Sequence, residues 1–231
     1  TTVAETTEIA TAVARANVRF RITENFIYYP PIVKAKELID NDAIGEPSLV
    51  RIHAVKARQI QTPTIEVDPD AYVWRRDPQL NPEGLRWRVY DHAAHVIATA
   101  MYWVGDIENV FANVNQDQDL TEAPSAAIWK FKGRNCLGLL DYTHSPGMTI
   151  RGKYFPTDEF FEIHGSKGMI WVTRCQSEMH DLPPVLLFNG SKTTGFHVPM
   201  DLIDSFNGAA KDFIDCIIQD RQPRLDVNVS K

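Results

Sequence analysis

Three titratable residues stand at the start of an otherwise apolar stretch, YDHAAHVIATAMYWVGD, which covers residues 90–106. Asp91 and His95 are four residues apart, so on a helix their side chains share one face with Cβ atoms about 5–6 Å apart. A neutral imidazole can take the hydroxyl proton of a secondary alcohol, and a nearby carboxylate favours the imidazolium that forms. The spacing therefore permits general-base catalysis, although a capping aspartate and a hydrogen-bonded core histidine produce the same pattern.

Aromatic and basic residues accompany this pair. Residues 61–88 show little periodicity and several prolines, which predicts a long ordered loop of the kind that often shapes a site. Aromatic rings can stack on the C–H face of a sugar, and arginine guanidinium groups can donate hydrogen bonds to its hydroxyls. The ordinary alternative is a structural aromatic cluster with exposed basic side chains. We predict substrate contacts from Trp74, Arg86, Trp87, Tyr90, His92 and Lys153.

A metal site is the second chemistry that these residues permit. Asp91, His92 and His95 could supply ligands for zinc or manganese in a hydrolase or lyase, with His53 or His144 completing the set. The sequence contains no HExxH motif, and its three cysteines form no CxxC pair. We therefore predict no metal site and keep the metal-dependent enzyme as an alternative.

Hydrophobic patterns predict a mixed fold. Helical spacing near the start leads into a strand at Val18–Ile22, a helix that ends near Gly45 follows, and another strand covers residues 48–60. The short turns KGRN and GSKG join β-like runs and predict hairpins of an antiparallel sheet, and the final helix runs from about Leu202 to Gln219. The remaining β-like runs are IENVFANVN, SAAIWKFKG, NCLGLLDYTH, EFFEIHG and GMIWVTR.

Charge and composition limit the partners. A net charge of −6 with no long basic run argues against a nucleic-acid or anionic-membrane surface. No apolar run reaches the length of a membrane span, and three widely spaced cysteines do not form a disulfide framework. We predict a cytoplasmic protein that acts on a small molecule.

Several motifs follow one another along the chain: ENFIYYPP, IGEP, the Asp91–His95 helix, YWVGDIENVFANV, FEIHGSKGMIWV and AAKDFIDCIIQDRQPRLDV. This order resembles that of the Gfo/Idh/MocA oxidoreductases, and nearly the whole chain is similar to their second domain. The resemblance implies NAD or NADP as cofactor, a secondary alcohol of a sugar, cyclitol or glycoside as substrate, and His95 and Asp91 as catalytic residues. It also implies that the corner carrying Asn25 and Tyr28, where ligands bind in open α/β sheets, approaches the nicotinamide.

The resemblance sets the expected domain organisation. Residues 1–24 would be the end of an N-terminal dinucleotide-binding domain, and residues 25–231 would form a substrate-binding and oligomerisation domain. The fold expected is α+β, an open and mostly antiparallel sheet with helices on one face, as in the second domain of a Rossmann-type dehydrogenase. The chain contains no GxGxxG motif and no upstream Glu-Lys-Pro, so we expect the nucleotide-binding part to precede Thr1.

Oligomerisation is expected because the strands offer more apolar surface than the predicted helices can cover. Two sheets stacked face to face would make a homodimer, possibly doubled to a homotetramer, and the resemblance points the same way. A non-catalytic binding or assembly module therefore remains a further alternative. The apolar side chains that support this expectation are Ile128, Trp129, Phe131, Leu137, Leu139, Phe161 and Trp171.

Overall fold

The computed structural model describes residues 3–58, 92–115, 123–154, 157–175, 177–227 and 229. Its α-helices are α1 (Val3–Ala16), α2 (Pro30–Asp40), α3 (Ala93–Val104) and α4 (Ile203–Ile218), and a 3-10 turn covers Phe26–Tyr28. The first four strands are β1 (Pro47–Arg58), β2 (Ile107–Asn113), β3 (Ser125–Phe131) and β4 (Leu137–Thr149). The other four are β5 (Thr157–Gly165), β6 (Gly168–Val172), β7 (Val185–Asn189) and β8 (Lys192–Phe196). No helix of this described part is long and apolar enough to cross a membrane.

The strands form one open sheet in the order β2-β3-β4-β1-β5-β6-β7-β8. The pair β1–β4 is parallel, and every other neighbouring pair is antiparallel. The predicted hairpins at KGRN and GSKG join β3 to β4 and β5 to β6. The expected α+β fold with a mostly antiparallel sheet is therefore confirmed.

One face of the sheet carries the core. Alternate residues of neighbouring strands make a continuous buried row that faces the helices, and α2 lies against β6 and β7 while α3 lies against β1. Trp103 of α3 ties this layer together, because its ring meets Phe161 edge-on and its indole N–H donates to the carbonyl of Ile32 in α2. The row consists of Trp129, Gly138, Val50, Ile163, Ile170 and Leu187.

The opposite face is open and mixes apolar with charged side chains. A second row crosses seven strands on this face, and the Trp171 indole donates a hydrogen bond to Glu162 at its centre. Its residues are Phe111, Ile128, Leu139, Arg51, Glu162, Trp171 and Leu186. Three of the apolar side chains assigned to uncovered surface lie in the core instead, because alternation turns them toward the helices: Trp129, Phe131 and Phe161.

Three elements differ from the sequence prediction. Val18–Ile22 forms no strand, since it pairs with no strand of the described residues and its Ile22 amide donates instead to the carbonyl of Leu225. Helix α2 ends at Asp40 rather than near Gly45, because Asp42 adopts a positive φ of 58° and turns the chain. The hairpin β7–β8 was missed, although Gly190 with φ 61° makes its tight turn.

Candidate functional site

The two histidines singled out in the sequence lie together at the start of α3. His92 stands at the N-cap position and His95 lies in the first turn, as the predicted helix requires. Their ring centroids are 5.2 Å apart, and the ring planes meet at 74°. The side chains are 26% and 28% exposed, so both imidazoles border a surface that a small molecule could reach.

Each imidazole is bonded to a buried carboxylate from another part of the chain. His95 Nδ1 lies 2.5 Å from Glu24 Oε2, and His92 Nε2 lies 2.5 Å from Glu159 Oε1. The carboxylate side chains are only 7% and 3% exposed. The ring of Phe26 stacks on His95 with centroids 4.6 Å apart and planes at 14°. The result is a pair of imidazole–carboxylate dyads around one aromatic ring.

The peptide backbone holds the carboxylate of Glu24 in place, and it also holds that of Asp158, the neighbour of Glu159. Glu24 Oε1 accepts the Phe26 N–H at 2.6 Å, at the start of the 3-10 turn. Glu159 lies on β5 next to Asp158, whose carboxylate accepts the backbone N–H groups of Glu159, Cys175 and Ser177 at 2.7–3.0 Å. Burial, followed by the charge of Glu159, raises the pKa of Asp158 to about 6. The network therefore binds the start of β5 to the segment after β6.

A group of possible metal ligands lies behind His92. Within the described residues, the one set of donors close enough to share an ion is Asp158, Glu159 and Cys175, whose ligand atoms all lie within 4.8 Å of one another. Burial raises the pKa of the Cys175 thiol, and the charges of Glu159 and Asp158 add to this effect. Asp158 already accepts three backbone N–H groups. These contacts describe a hydrogen-bonded polar network, and they do not favour a metal centre.

The proposed metal ligands His53 and His144 are not part of that group. His53 forms an ion pair with Asp141, and its ring lies 5.8 Å from that of Phe160. Both His53 and Phe160 belong to the wall of a cavity of about 600 Å³ on the open face of the sheet. Among the described residues, neither His53 nor His144 therefore joins His92 and His95 in a set of ligand atoms close enough to share an ion.

Asn25 and Tyr28, predicted for the cofactor, are both bonded to helix α4. The buried Asn25 amide donates to Ser205 Oγ at 2.6 Å, and the Tyr28 hydroxyl donates to Asp212 Oδ2 at 2.7 Å. Burial and the neighbouring Asp212 carboxylate raise the pKa of Tyr28 above its usual value. Asn25 follows Glu24 directly, so this corner adjoins the His95 dyad, and its contact with a cofactor remains a prediction.

Lys153 follows β4 in the chain, and its side chain lies close to the start of α4. Its ammonium group is 2.5 Å from Asp201 Oδ2, and Asp201 also accepts the Tyr154 hydroxyl and the Ile203 N–H. These donors, Lys153 first, lower the pKa of Asp201 to about 2. The side chain of Lys153 is more than half exposed. Its contact with a substrate therefore remains a prediction.

The other predicted site residues lie outside the described residues: Asp91, Trp74, Arg86, Trp87 and Tyr90. Sequence reasoning did not identify Glu24 or Glu159. Glu24 opens the ENFIYYPP motif, and Glu159 occupies an inward position in a strand whose next two inward residues, Phe161 and Ile163, are apolar. A charged residue at a core-facing position was the available signal, because such a group is seldom buried without a partner.

Comparison with known proteins identifies the family. The family model described as GFO/IDH/MocA C-terminal domain matches residues 32–171. No curated protein matches the chain significantly.

Solved structures share the fold at low sequence identity. An oxidoreductase from Agrobacterium radiobacter, in complex with NAD+, L-tartaric acid and magnesium, has a TM-score of 0.70 at 14% identity, covering 97% of this chain and 62% of its own. An aldose-aldose oxidoreductase from Caulobacter crescentus, complexed with glycerol, has a TM-score of 0.68 at 16% identity, with coverage of 98% and 62%. An NAD binding oxidoreductase from Klebsiella pneumoniae has a TM-score of 0.67 at 19% identity, with coverage of 97% and 64%. The chain thus spans less than two thirds of these relatives, and the family match shows that it belongs to the GFO/IDH/MocA family and carries the C-terminal domain of that family.

Proposed function

We propose that this chain is the substrate-binding domain of an NAD(P)-dependent oxidoreductase acting on a secondary alcohol of a sugar, cyclitol or glycoside. The observation that carries the proposal is the partly exposed imidazole of His95, held by a buried carboxylate, in a chain of this family. Residues 1–24 would end the dinucleotide-binding domain, and residues 25–231 would bind substrate and mediate assembly.

His95 is the proposed general base. A bound nicotinamide would supply the hydride acceptor. As the carbinol carbon loses its hydride, the imidazole takes the hydroxyl proton, so that the alcohol becomes a carbonyl compound and His95 becomes an imidazolium. In the reverse direction His95 returns this proton to the forming hydroxyl. The buried carboxylate of Glu24 would stabilise the charge on the ring at 2.5 Å.

The cofactor would enter at the corner of Asn25 and Tyr28. The fit is supported by position, because Asn25 adjoins Glu24 in the chain and the 3-10 turn containing Tyr28 packs against α3. The Asn25 amide and the Tyr28 hydroxyl already bond to α4. These residues would therefore line the cofactor site through the half-buried Tyr28 ring and through the backbone atoms of Asn25. The nicotinamide would therefore lie beside the imidazole of His95.

The proposed substrate is a polyhydroxylated molecule. The tryptophans and arginines of residues 61–88 would stack on its C–H face and bond its hydroxyls, with His92 and Lys153 as further contacts. Glycerol and L-tartaric acid, which carry hydroxyl groups, are bound by two proteins of similar fold. A neutral polyol or sugar also needs no strongly basic domain, in keeping with the net charge of −6.

Activity assays with histidine variants test this function. The full-length protein, including the nucleotide-binding domain, is assayed with NAD+ and NADP+ against a panel of sugars, cyclitols and glycosides. His95→Ala should lower kcat on the best alcohol by about 10²–10⁴-fold with the fold intact, as expected for loss of a general base. Asp91→Asn should cost less than His95→Ala if Asp91 polarises and orients rather than accepting the proton.

The exposed His197 provides a matched control, and His197→Ala should keep the parental kcat. Equal turnover by His95→Ala and the parent protein would rule out the proposed base. A larger loss in Asp91→Asn than in His95→Ala would exchange the roles of these two residues.

A further inference from the structure

We infer that Glu24 is the positioning residue that sets the tautomer and orientation of His95. This inference rests on the proposed role of His95 as general base. It assigns to Glu24 the orienting function that helical spacing alone suggested for Asp91.

The direction of the Glu24–His95 hydrogen bond follows from the groups involved. Glu24 Oε1 accepts the Phe26 N–H at 2.6 Å, while Oε2 lies 2.5 Å from His95 Nδ1. A carboxylate has no proton to donate, so Nδ1 carries the hydrogen of a neutral imidazole. The lone pair then belongs to Nε2, the ring nitrogen that must accept the substrate proton. The opposite tautomer would lose this bond and would place a proton where the base needs a lone pair.

The position of the ring is fixed in two ways. Phe26 stacks almost parallel to His95, which restricts tilting of the imidazole, and the Glu24 bond restricts rotation about the Cβ–Cγ bond. Glu24 is itself anchored by the backbone of the residue that supplies the stacking ring. One short segment, Glu24–Phe26, therefore controls both the tilt and the rotation of the base.

The second dyad provides an internal comparison. Glu159 is as deeply buried as Glu24 and meets His92 at the same distance of 2.5 Å, but through Nε2. The imidazoles thus use opposite nitrogens toward their carboxylates. The two imidazole ring centroids are 5.2 Å apart, so changing Glu159 alters a similar hydrogen bond on the neighbouring ring without removing the acceptor of His95 Nδ1.

The test replaces Glu24 by glutamine in the full-length protein. Glutamine is nearly isosteric, and because the Phe26 N–H needs the single amide oxygen as its acceptor, the N–H₂ group faces Nδ1 and stabilises the tautomer that carries its proton on Nε2. We expect kcat to fall by about 10²-fold or more, the range for a lost general base, while KM changes by less than about threefold. Glu24→Asp keeps an acceptor carboxylate and should recover a substantial part of the lost kcat.

Nitrogen NMR of selectively labelled histidines supplies a readout that does not depend on turnover. In the parent protein His95 should carry its proton on Nδ1, and in Glu24→Gln it should carry it on Nε2. Glu159→Gln should change the His92 signals and leave the tautomer of His95 as in the parent. Thermal unfolding of each variant establishes that the domain remains folded.

The outcomes separate this inference from the proposed function. Parental kcat in Glu24→Gln, together with a large loss in His95→Ala, would overturn the positioning role and leave the base in place. An unchanged His95 tautomer in Glu24→Gln, or a folded Glu24→Asp with no more activity than Glu24→Gln, would also overturn it. Parental activity in His95→Ala would instead refute the proposed function.

Discussion

Gly138 permits the close packing of Trp129 in the sheet, and Gly138→Ala should therefore destabilise the domain. The two residues are cross-strand partners on β4 and β3, and the indole lies directly over the glycine. A Cβ added at Gly138 would lie 1.9 Å from Trp129 Cε2 and 2.0 Å from Nε1. Ordinary contact begins near 3.4 Å, so the ring would have to move by about 1.5 Å in a core packed like a crystal.

The energetic cost follows from the burial of Trp129. The residue is 2% exposed, and its ring meets Phe131 edge-on, so its movement disturbs a second core side chain. Overpacking of this kind costs about 1–3 kcal/mol, and we expect Gly138→Ala to lie in the upper half of that range. For a domain of this size, such a loss lowers Tm by roughly 4–12 °C.

Denaturant unfolding followed by tryptophan fluorescence measures the effect, with Gly147→Ala as the matched control. Gly147 lies on the same strand, and a Cβ added there would meet no atom within 4 Å. Its substitution should change the free energy of unfolding by less than about 1 kcal/mol, in the stabilising direction if at all. Equal stability of the two variants would show that Trp129 does not pack over Gly138 as described.

Three further predictions concern pH, assembly and metal. The pKa of Asp158 is about 6 in the folded protein, compared with an ordinary value of 3.8 for an aspartate in the unfolded chain. Between these pH values the folded protein therefore binds a proton that the unfolded chain has lost. Protonated Asp158 therefore contributes fully to the free energy of unfolding below pH 4, and this contribution of about 3 kcal/mol is lost as pH rises through 6. When unfolding is measured from pH 4 to 7, the pH dependence should be smaller in Asp158→Asn than in the parent protein. The open sheet face predicts a homodimer or homotetramer by light scattering at micromolar concentration, and Trp171→Glu should reduce its mass; a monomeric parent would show this prediction wrong. Purified protein should contain no stoichiometric zinc or manganese and should keep its activity after chelation, whereas one tightly held ion per chain would revive the metal-dependent alternative.

The spacing of apolar residues and the short turn sequences predicted helix α3 and two of the hairpins correctly. The apolar stripe of α3 placed His92 and His95 on one helix, and short turns identified the hairpins β3–β4 and β5–β6. The parallel pairing of β1 with β4 was not predicted, because it joins strands far apart in the chain and leaves no turn signal between them.

The partners of the two histidines could not be read from spacing. Glu24 lies 71 residues before His95, and Glu159 lies 67 residues after His92. Only the packing of the 3-10 turn and of β5 around α3 brings these carboxylates to the imidazoles. The sequence could indicate His95 as the proposed base because its helix is local, whereas the Glu24 contact is a product of the tertiary fold.

An isotope experiment on the full-length protein follows the proposed transfer of hydride from the alcohol to the cofactor. The best alcohol from the panel is labelled with deuterium at its carbinol carbon and incubated with the preferred nicotinamide cofactor, and the reduced cofactor is analysed by mass spectrometry. The deuterium should appear on the nicotinamide ring, and His95→Ala should suppress this transfer. Recovery of the label in solvent, or turnover of the alcohol without reduction of the cofactor, would show that the protein does not transfer a hydride from this carbon.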